Sequence, residues 1–356
     1  MRTSSVVSSA LLLSATLSGC LGQGPSTPTT PDAGSYVDMP RTSTVSGFLL
    51  DPEAFFLLSS AWPVAPDDPE GPPPPFLVDG TPYLEYASIS GANVSLVSGS
   101  TQTSGSISAQ KGVWQVYNVP RGDSTQYVMK ADPMAAGVEL GAGIDEPSPV
   151  EVPKSRYVST TTLRPILPSV PLCQLMVATM VGEAGALSAL AHARSSTVAD
   201  LLNPSKTGGV VLTWVFVPSM MLDWVQFNAD QVSVESSAGQ VYALNWDLPG
   251  AGGAGQSPMG FMASAGGVSP IGYYAIVLPP GGSGPLSVQF VDHGTGEDMF
   301  GNPRPWFIPS LEADIQPGGV SVARVFALPG GEEPPPPEDT DDEPSPGQDF
   351  SWVCMP

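Results

Sequence analysis

The chain contains two histidines, His192 and His293, and neither is followed by a glutamate three residues on, so zinc ligation of the His-x-x-Glu kind is not encoded. No Gly-x-Ser-x-Gly nucleophile elbow and no Gly-x-x-x-x-Gly-Lys phosphate loop occurs. His192 falls in an Ala- and Leu-rich stretch near Arg194, where a histidine on a helix face reads as structural. The densest polar constellation is Asp292, His293, Glu297, Asp298 and Asn302 in a glycine-rich loop. Hard oxygen ligands at such short spacing can hold Ca²⁺, with Asp292, Glu297 and Asp298 as the candidate ligands. The spacing follows no calcium-loop pattern, and a solvated acidic loop is the plainer reading. Trp224, Trp246, Trp306 and Tyr273 offer flat rings suited to stacking on sugar faces, although core packing accounts for such rings as well. Trp306 follows Pro303-Arg304-Pro305 in a loop and is the ring expected to be exposed. Because no nucleophile, base and orienting group can be named together, the chain is expected to be non-catalytic.

The scaffold that must position these residues has 356 residues and a formal charge of −22, from 34 acidic and 12 basic side chains. Such a surface repels phosphate backbones, which excludes nucleic acid as a partner. Residues 21–41 are rich in Pro, Thr, Ser and Gly and read as an extended stalk. Strand formers begin at Thr44-Val45-Ser46-Gly47-Phe48-Leu49-Leu50 and stop at Asp51-Pro52. A Pro-rich insertion follows over 52–86, including Pro72 to Pro75, a run that cannot join a hydrogen-bonded ladder. Ala92, Val94 and Leu96 then share one face at period two, as do Trp114 and Val116, before the turn at Pro120-Arg121-Gly122. Tyr127-Val128-Met129-Lys130-Ala131 is the next strand.

This succession of a Val-x-Gly strand, a Gly-Ala-x-Val-x-Leu strand, Gly-x-aromatic-x-Val-x-x-Val-Pro-x-Gly and a Tyr-led strand resembles the carboxypeptidase regulatory-like domain. The resemblance covers about residues 44–166 and implies a transthyretin-like β-sandwich. It departs from the family in the insertion between the first two strands and in the extra residues 124–126. It extends to the accessory domain alone, since the catalytic zinc ligands are missing. Further on, residues 184–202 carry Leu187, Leu190, Ala191 and Arg194 at helical spacing, predicting one helix before Pro204. Strands resume at 210–217, 231–235, 240–244, 272–278, 286–290 and 320–328. Ala92 to Leu96 matches Ala229 to Val234, and Gly112 to Gly122 matches Gly272 to Gly281, which suggests a degenerate internal repeat. An acidic Pro-rich tail without basic residues follows from 330.

At the other end, Arg2 and an apolar run from Val6 to Leu17 have the layout of an export signal. Its last residues, Leu17-Ser18-Gly19-Cys20, resemble the bacterial lipobox. The resemblance implies cleavage after Gly19 and acylation of Cys20, a stable tether once two or more chains are attached. Leu21 in place of an aspartate implies the outer membrane. Cys173 and Cys354 then remain, either as free thiols or as a disulfide closing about 180 residues and contributing about 4–5 kcal/mol on the chain-entropy model.

The sequence thus predicts a mainly β protein of two β-sandwich domains, the first transthyretin-like and the second a degenerate copy, with one intervening helix. Its plan is a signal peptide at 1–19, lipidated cysteine and stalk at 20–43, a first sandwich at 44–166, a helical connector at 167–204, a second sandwich at 205–329 and a tail at 330–356. The expected role is that of a membrane-anchored lipoprotein presenting these modules for adhesion, envelope organisation or partner binding. Its partners would be the membrane, through the lipid, and a protein or glycan. Carbohydrate binding is the alternative, and a hydrolase of unrecognised type comes third.

Overall fold

The computed structural model describes residues 42–60, 83–120, 126–145, 147–148, 150–166, 174–216, 229, 231–282, 284–297, 303–315 and 319–328. The signal, Cys20, the stalk, Pro72 to Pro75, Cys173, Trp224, Asp298, Asn302, Cys354 and the acidic tail lie outside these residues. Within them the protein is mainly β. The first half contains Thr42–Leu50 (β1), Ala92–Ser98 (β2), Val113–Pro120 (β3), Tyr127–Pro133 (β4), Thr160–Ile166 (β5) and Gln174–Thr179 (β6). The second contains Gly209–Phe216 (β7), Val232–Ser236 (β8), Gln240–Trp246 (β9), Phe261–Ala265 (β10), Tyr273–Leu278 (β11), Gly284–Asp292 (β12), Leu311–Ile315 (β13) and Val320–Phe326 (β14).

The two halves repeat one pairing scheme. In the first, β1 pairs antiparallel with β3 and parallel with β6, while β4 lies between β2 and β5, antiparallel to both. In the second, β7 pairs antiparallel with β11 and parallel with β14, while β12 lies between β8 and β13, antiparallel to both. Strands β9 and β10 form a hairpin added beside β11. The segments matched across the repeat by sequence, 92–96 with 229–234 and 112–122 with 272–281, therefore supply strands in equivalent places. Gly112 and Gly272 occupy the same niche in each half. Their φ angles are 71° and 65°, and a Cβ would stand 2.5 Å from the Leu49 carbonyl oxygen and 2.4 Å from that of Val215, respectively. Left-handed backbone and close approach to the opening strand both require glycine there.

The halves are sewn together by one parallel pairing, β14 with β5, in which Val320, Ser321 and Val322 face Thr160, Thr161 and Thr162. A ten-stranded sheet results, ordered β10-β9-β11-β7-β14-β5-β4-β2 with two short strands beyond β2. In the first half the β6-β1-β3 sheet covers one face of it, enclosing Val45, Val94, Leu96, Trp114, Val116 and Met129. In the second half the β8-β12-β13 sheet covers one face, enclosing Val211, Val215, Tyr274, Ile276, Val288 and Trp306. The opposite face there presents Val210, Leu212, Trp214, Tyr273 and Ala275, and helices cover it.

Those helices differ from the sequence expectation. Residues 52–60 form a helix, Pro52–Ser60 (α1), inside the stretch expected to be an irregular insertion, and Tyr83–Tyr86 (α2) adds a turn at its far end. Asp51 accepts the amides of Glu53 and Ala54 at 2.8 and 3.0 Å, capping α1, and Pro52 sits at the first helical position, where its missing amide costs nothing. The single helix expected over 184–202 is broken. Glu183–Leu187 is a wide, π-type turn in which Gly185 departs from helical angles, Ser188–Ala193 (α3) follows, and Val198–Leu201 (α4) starts afresh. The break falls at Ser195-Ser196-Thr197, poor helix formers, where Ser195 has a φ of 50° and Thr197 forms a reciprocal capping box with Asp200. Among the described residues no helix is long and apolar enough to cross a membrane.

Candidate functional site

Of the residues singled out for metal binding, the described Asp292 and Glu297 belong to no group of three possible ligands. Asp292, at the end of β12, is fully buried and paired with Arg304, whose side chain is 4% exposed. Its Oδ2 accepts Arg304 Nε at 3.0 Å and the Trp306 amide at 2.7 Å, while its Oδ1 accepts the Gly294 amide at 2.9 Å and the second guanidinium nitrogen. Burial pushes this carboxyl up, but the Arg304 and backbone hydrogen bonds and the guanidinium charge outweigh it and hold it below the usual carboxylate range. Glu297 is exposed. Among the described residues no three His, Cys, Asp or Glu side chains are grouped to hold a metal ion. The expectation of Asp292 as a Ca²⁺ ligand is thus corrected: its oxygens are occupied by an ion pair that fastens the 303–307 segment. His293 Nε2 stands 2.9 Å from Ser233 Oγ on the exposed side of β8.

The expectation that Trp306 is exposed also fails, because its ring is 3% accessible. Its amide is tied to Asp292 and its ring lies under the Arg304 guanidinium at 4.3 Å, so the loop is drawn down onto the second core. Tyr273 is fully buried and stacked on Trp214 at 3.5 Å, and Trp246 donates to the Met259 carbonyl at 2.9 Å while meeting Phe56 edge-on. These rings build cores, and no stacking platform arises from them.

A groove of about 880 Å³ does open on the long sheet, on the face of the first half that the β6-β1-β3 sheet leaves bare. Strand alternation makes it. On β4, Tyr127, Met129 and Ala131 point into the core, so Val128 and Lys130 point out; on β5, Thr161 and Leu163 do the same. Ser321 from β14 completes the floor, the 99–102 turn forms one lip, and Glu312 and Asp314 of β13 form the other. Lys130 is paired with Asp132 at 3.1 Å, and Glu312 accepts Ser287 Oγ at 2.6 Å. The volume lies in the range of ligand clefts. Its lining mixes hydroxyls, the Gln102 and Gln126 amides, one ammonium and two carboxylates with apolar Val97, Val128, Leu163, Leu202 and Val320. The alternation was visible in sequence, but that β13 would wall it was not, since β13 pairs only with the distant β12.

A second cluster is sealed inside. Asp51 Oδ2 accepts Tyr157 Oη at 2.7 Å. Glu53, two residues on, accepts Tyr273 Oη at 2.6 Å and the Ala186 amide at 3.1 Å. Asp51 is 1% and Glu53 0% exposed. Burial pushes Asp51 up to about 6. Burial and then the adjacent Asp51 charge push Glu53 up to about 8. Gly185 makes the space: a Cβ there would lie 1.4 Å from Glu53 Oε2. Asp51-Pro52-Glu53 after a strand is a helix-start signal in the sequence, whereas the partners 106 and 220 residues away left no local trace.

No family model matches this chain, and no curated protein matches it. Among solved structures it is similar to one described as the Bacillus anthracis TIE protein, at 8% identity and a TM-score of 0.18, covering 81% of this chain and 34% of that one. The chain thus spans about a third of that protein's length.

Proposed function

We propose that the protein is a non-catalytic lipoprotein of the cell envelope, held at the outer membrane through Cys20, that presents its sheets to a partner along the groove over β4 and β5. The groove carries the reading. It is an open groove on the long sheet whose floor mixes apolar and polar side chains, the composition of a binding surface. The anchor rests on Leu17-Ser18-Gly19-Cys20, the first sandwich on its resemblance over 44–166 to the carboxypeptidase regulatory-like domain, and the second on the internal repeat. Hydroxyls, side-chain amides and carboxylates set beside apolar Val128 and Leu163 suit the mixed faces of a glycan, and the carbohydrate reading rests on this groove instead of on Trp306.

Replacing Cys20 by serine is expected to move the protein from the membrane fraction to the soluble fraction and to abolish labelling by a palmitate analogue; retention in the membrane fraction would defeat the anchor. Thr161→Trp fills the groove floor from a half-buried position and should leave the melting temperature unchanged. On a glycan array it should weaken any binding by at least about tenfold, the effect of losing a central contact. Binding that survives this substitution would place the partner elsewhere.

A further inference from the structure

Helix α1 follows β1 of the first half yet lies on the sheet of the second. Its Phe56 meets Trp246 and Phe261, and its Glu53 reaches Tyr273 of β11. Through Glu53 it touches the Trp214–Tyr273 stack, which is buried, whereas the register equivalent in the first half, Phe48 with Val113, is exposed. Ala54, Phe55, Phe56, Leu57 and Leu58 of α1 are buried, and at its start lies a polar cluster in this apolar setting, two carboxyls and two phenols bonded in pairs. Buried carboxylates are ordinarily neutralised by a cation. Here the neighbouring charges are engaged elsewhere: Arg156 pairs with Glu183 on the outside of the 183–187 turn, and Lys111 pairs with Glu85 at 3.0 Å. Asp51 has its charge met by the first turn of α1 and by Tyr157, so a proton is the remaining counterion for Glu53.

We propose that Asp51, Glu53, Tyr157 and Tyr273 form a proton-operated latch: with a proton held on the cluster α1 stays seated across the two halves, and when the proton leaves, α1 lifts and uncovers the Trp214–Tyr273 face. Solvent approaches the cluster at Tyr157, the partner of Asp51. Tyr157 is 9% exposed, at the base of a cleft of about 680 Å³ lined by Glu139, Leu140, Val150 and Lys154. The upward shifts of Asp51 to about 6 and Glu53 to about 8 set the direction. A carboxyl raised in the folded state contributes stability that is complete below its unfolded value and is lost as pH rises through the folded one. The latch therefore holds in acid, loosens progressively as pH rises above about 4, and has lost the proton's contribution once pH passes about 8. Both phenols, pushed well above their ordinary value by burial first and by the carboxylates, stay protonated throughout.

The test is amide exchange on the full chain, expressed as protection factors from about pH 5.5 to about 9.5. Protection of residues 54–58 in α1 should fall at least about tenfold over this range while that of 210–215 in β7 is maintained, the pattern of a local opening. Glu53→Gln, which keeps the shape and cannot ionise, should abolish the fall. A wild-type α1 protected equally at both ends, a loss shared equally by β7, or an unchanged fall in Glu53→Gln would each overturn the latch. Should Glu53→Gln not fold, Asp51→Asn removes the charge that raises Glu53, and the midpoint should move to lower pH; an unmoved midpoint would overturn it equally.

Discussion

Alanine at Gly185 is expected to destabilise the protein by about 3 kcal/mol or more, at the upper end of overpacking costs. The added carbon would fall 1.4 Å from Glu53 Oε2 and 2.5 Å from its carboxyl carbon, so one of the two must leave. Neither moves cheaply. Glu53 is bonded to Tyr273 and Ala186 with no exposed surface, and expelling it leaves that phenol and amide unpaired, each costing about 1–3 kcal/mol. Moving the 183–187 turn instead disturbs Ala184, Ala186 and Leu187, which belong to the helix-covered core. At about 2–4 °C per kcal/mol for a sizeable domain, the melting temperature should drop by about 6–12 °C. The collision also predicts coupling. In a Glu53→Ala background the same Gly185→Ala change should cost less than about 1 kcal/mol, and a double-mutant cycle reads the difference. A variant that melts within a degree of wild type would show that the carboxyl does not fill this space.

The second large effect is expected at Arg304. Leucine there strips the guanidinium from a carboxylate with no exposure and removes the plane that covers Trp306, and breaking such a buried pair costs about 3–5 kcal/mol. Its pH dependence distinguishes this from simple loss of packing. In wild type Asp292 is held below its unfolded value, so its contribution is present above about pH 4 and is lost as pH falls through the folded value. Without Arg304 the remaining partners are the amides of Gly294 and Trp306, and burial acts unopposed by a charge. Acid then relieves the variant while it weakens the wild type. Urea denaturation at about pH 7 and about pH 4 should show the deficit of Arg304→Leu shrinking at the lower pH, and a deficit equal at both would refute the charge argument.

Much of the scaffold was legible because it depends on period-two alternation and on punctuation by glycine and proline, which are local. The strands at 92–98, 113–120, 127–133 and 284–292 follow from side chains alternating between core and solvent, whereas 273–278 is buried on both faces and reads as an apolar run between Gly272 and Pro279. Even the repeat was visible, because Gly112 and Gly272 serve one steric need twice. Helix α1 was missed because the prolines beyond it dominated the composition, although Asp51-Pro52-Glu53 is a helix start by its own chemistry. The helix at 184–202 was overextended because apolar spacing outweighed the capping power of Thr197.

The sequence by itself determined the β class and most strand positions, which are set by residues within a few positions of one another, and the acidic balance, which is composition alone. Only the tertiary structure decided the fate of the polar and aromatic side chains. Asp292 and Trp306, expected at a solvated loop, are buried because Arg304 closes over both. Asp51 and Glu53, with no assigned role in the sequence, became the sealed centre of the molecule because Tyr157, Gly185 and Tyr273 reach them from distant strands and turns. Whether a carboxylate is a ligand, an ion-pair partner or a proton store depends on its desolvation and its neighbours. Both are properties of contacts made across more than a hundred residues of chain, which no local pattern records.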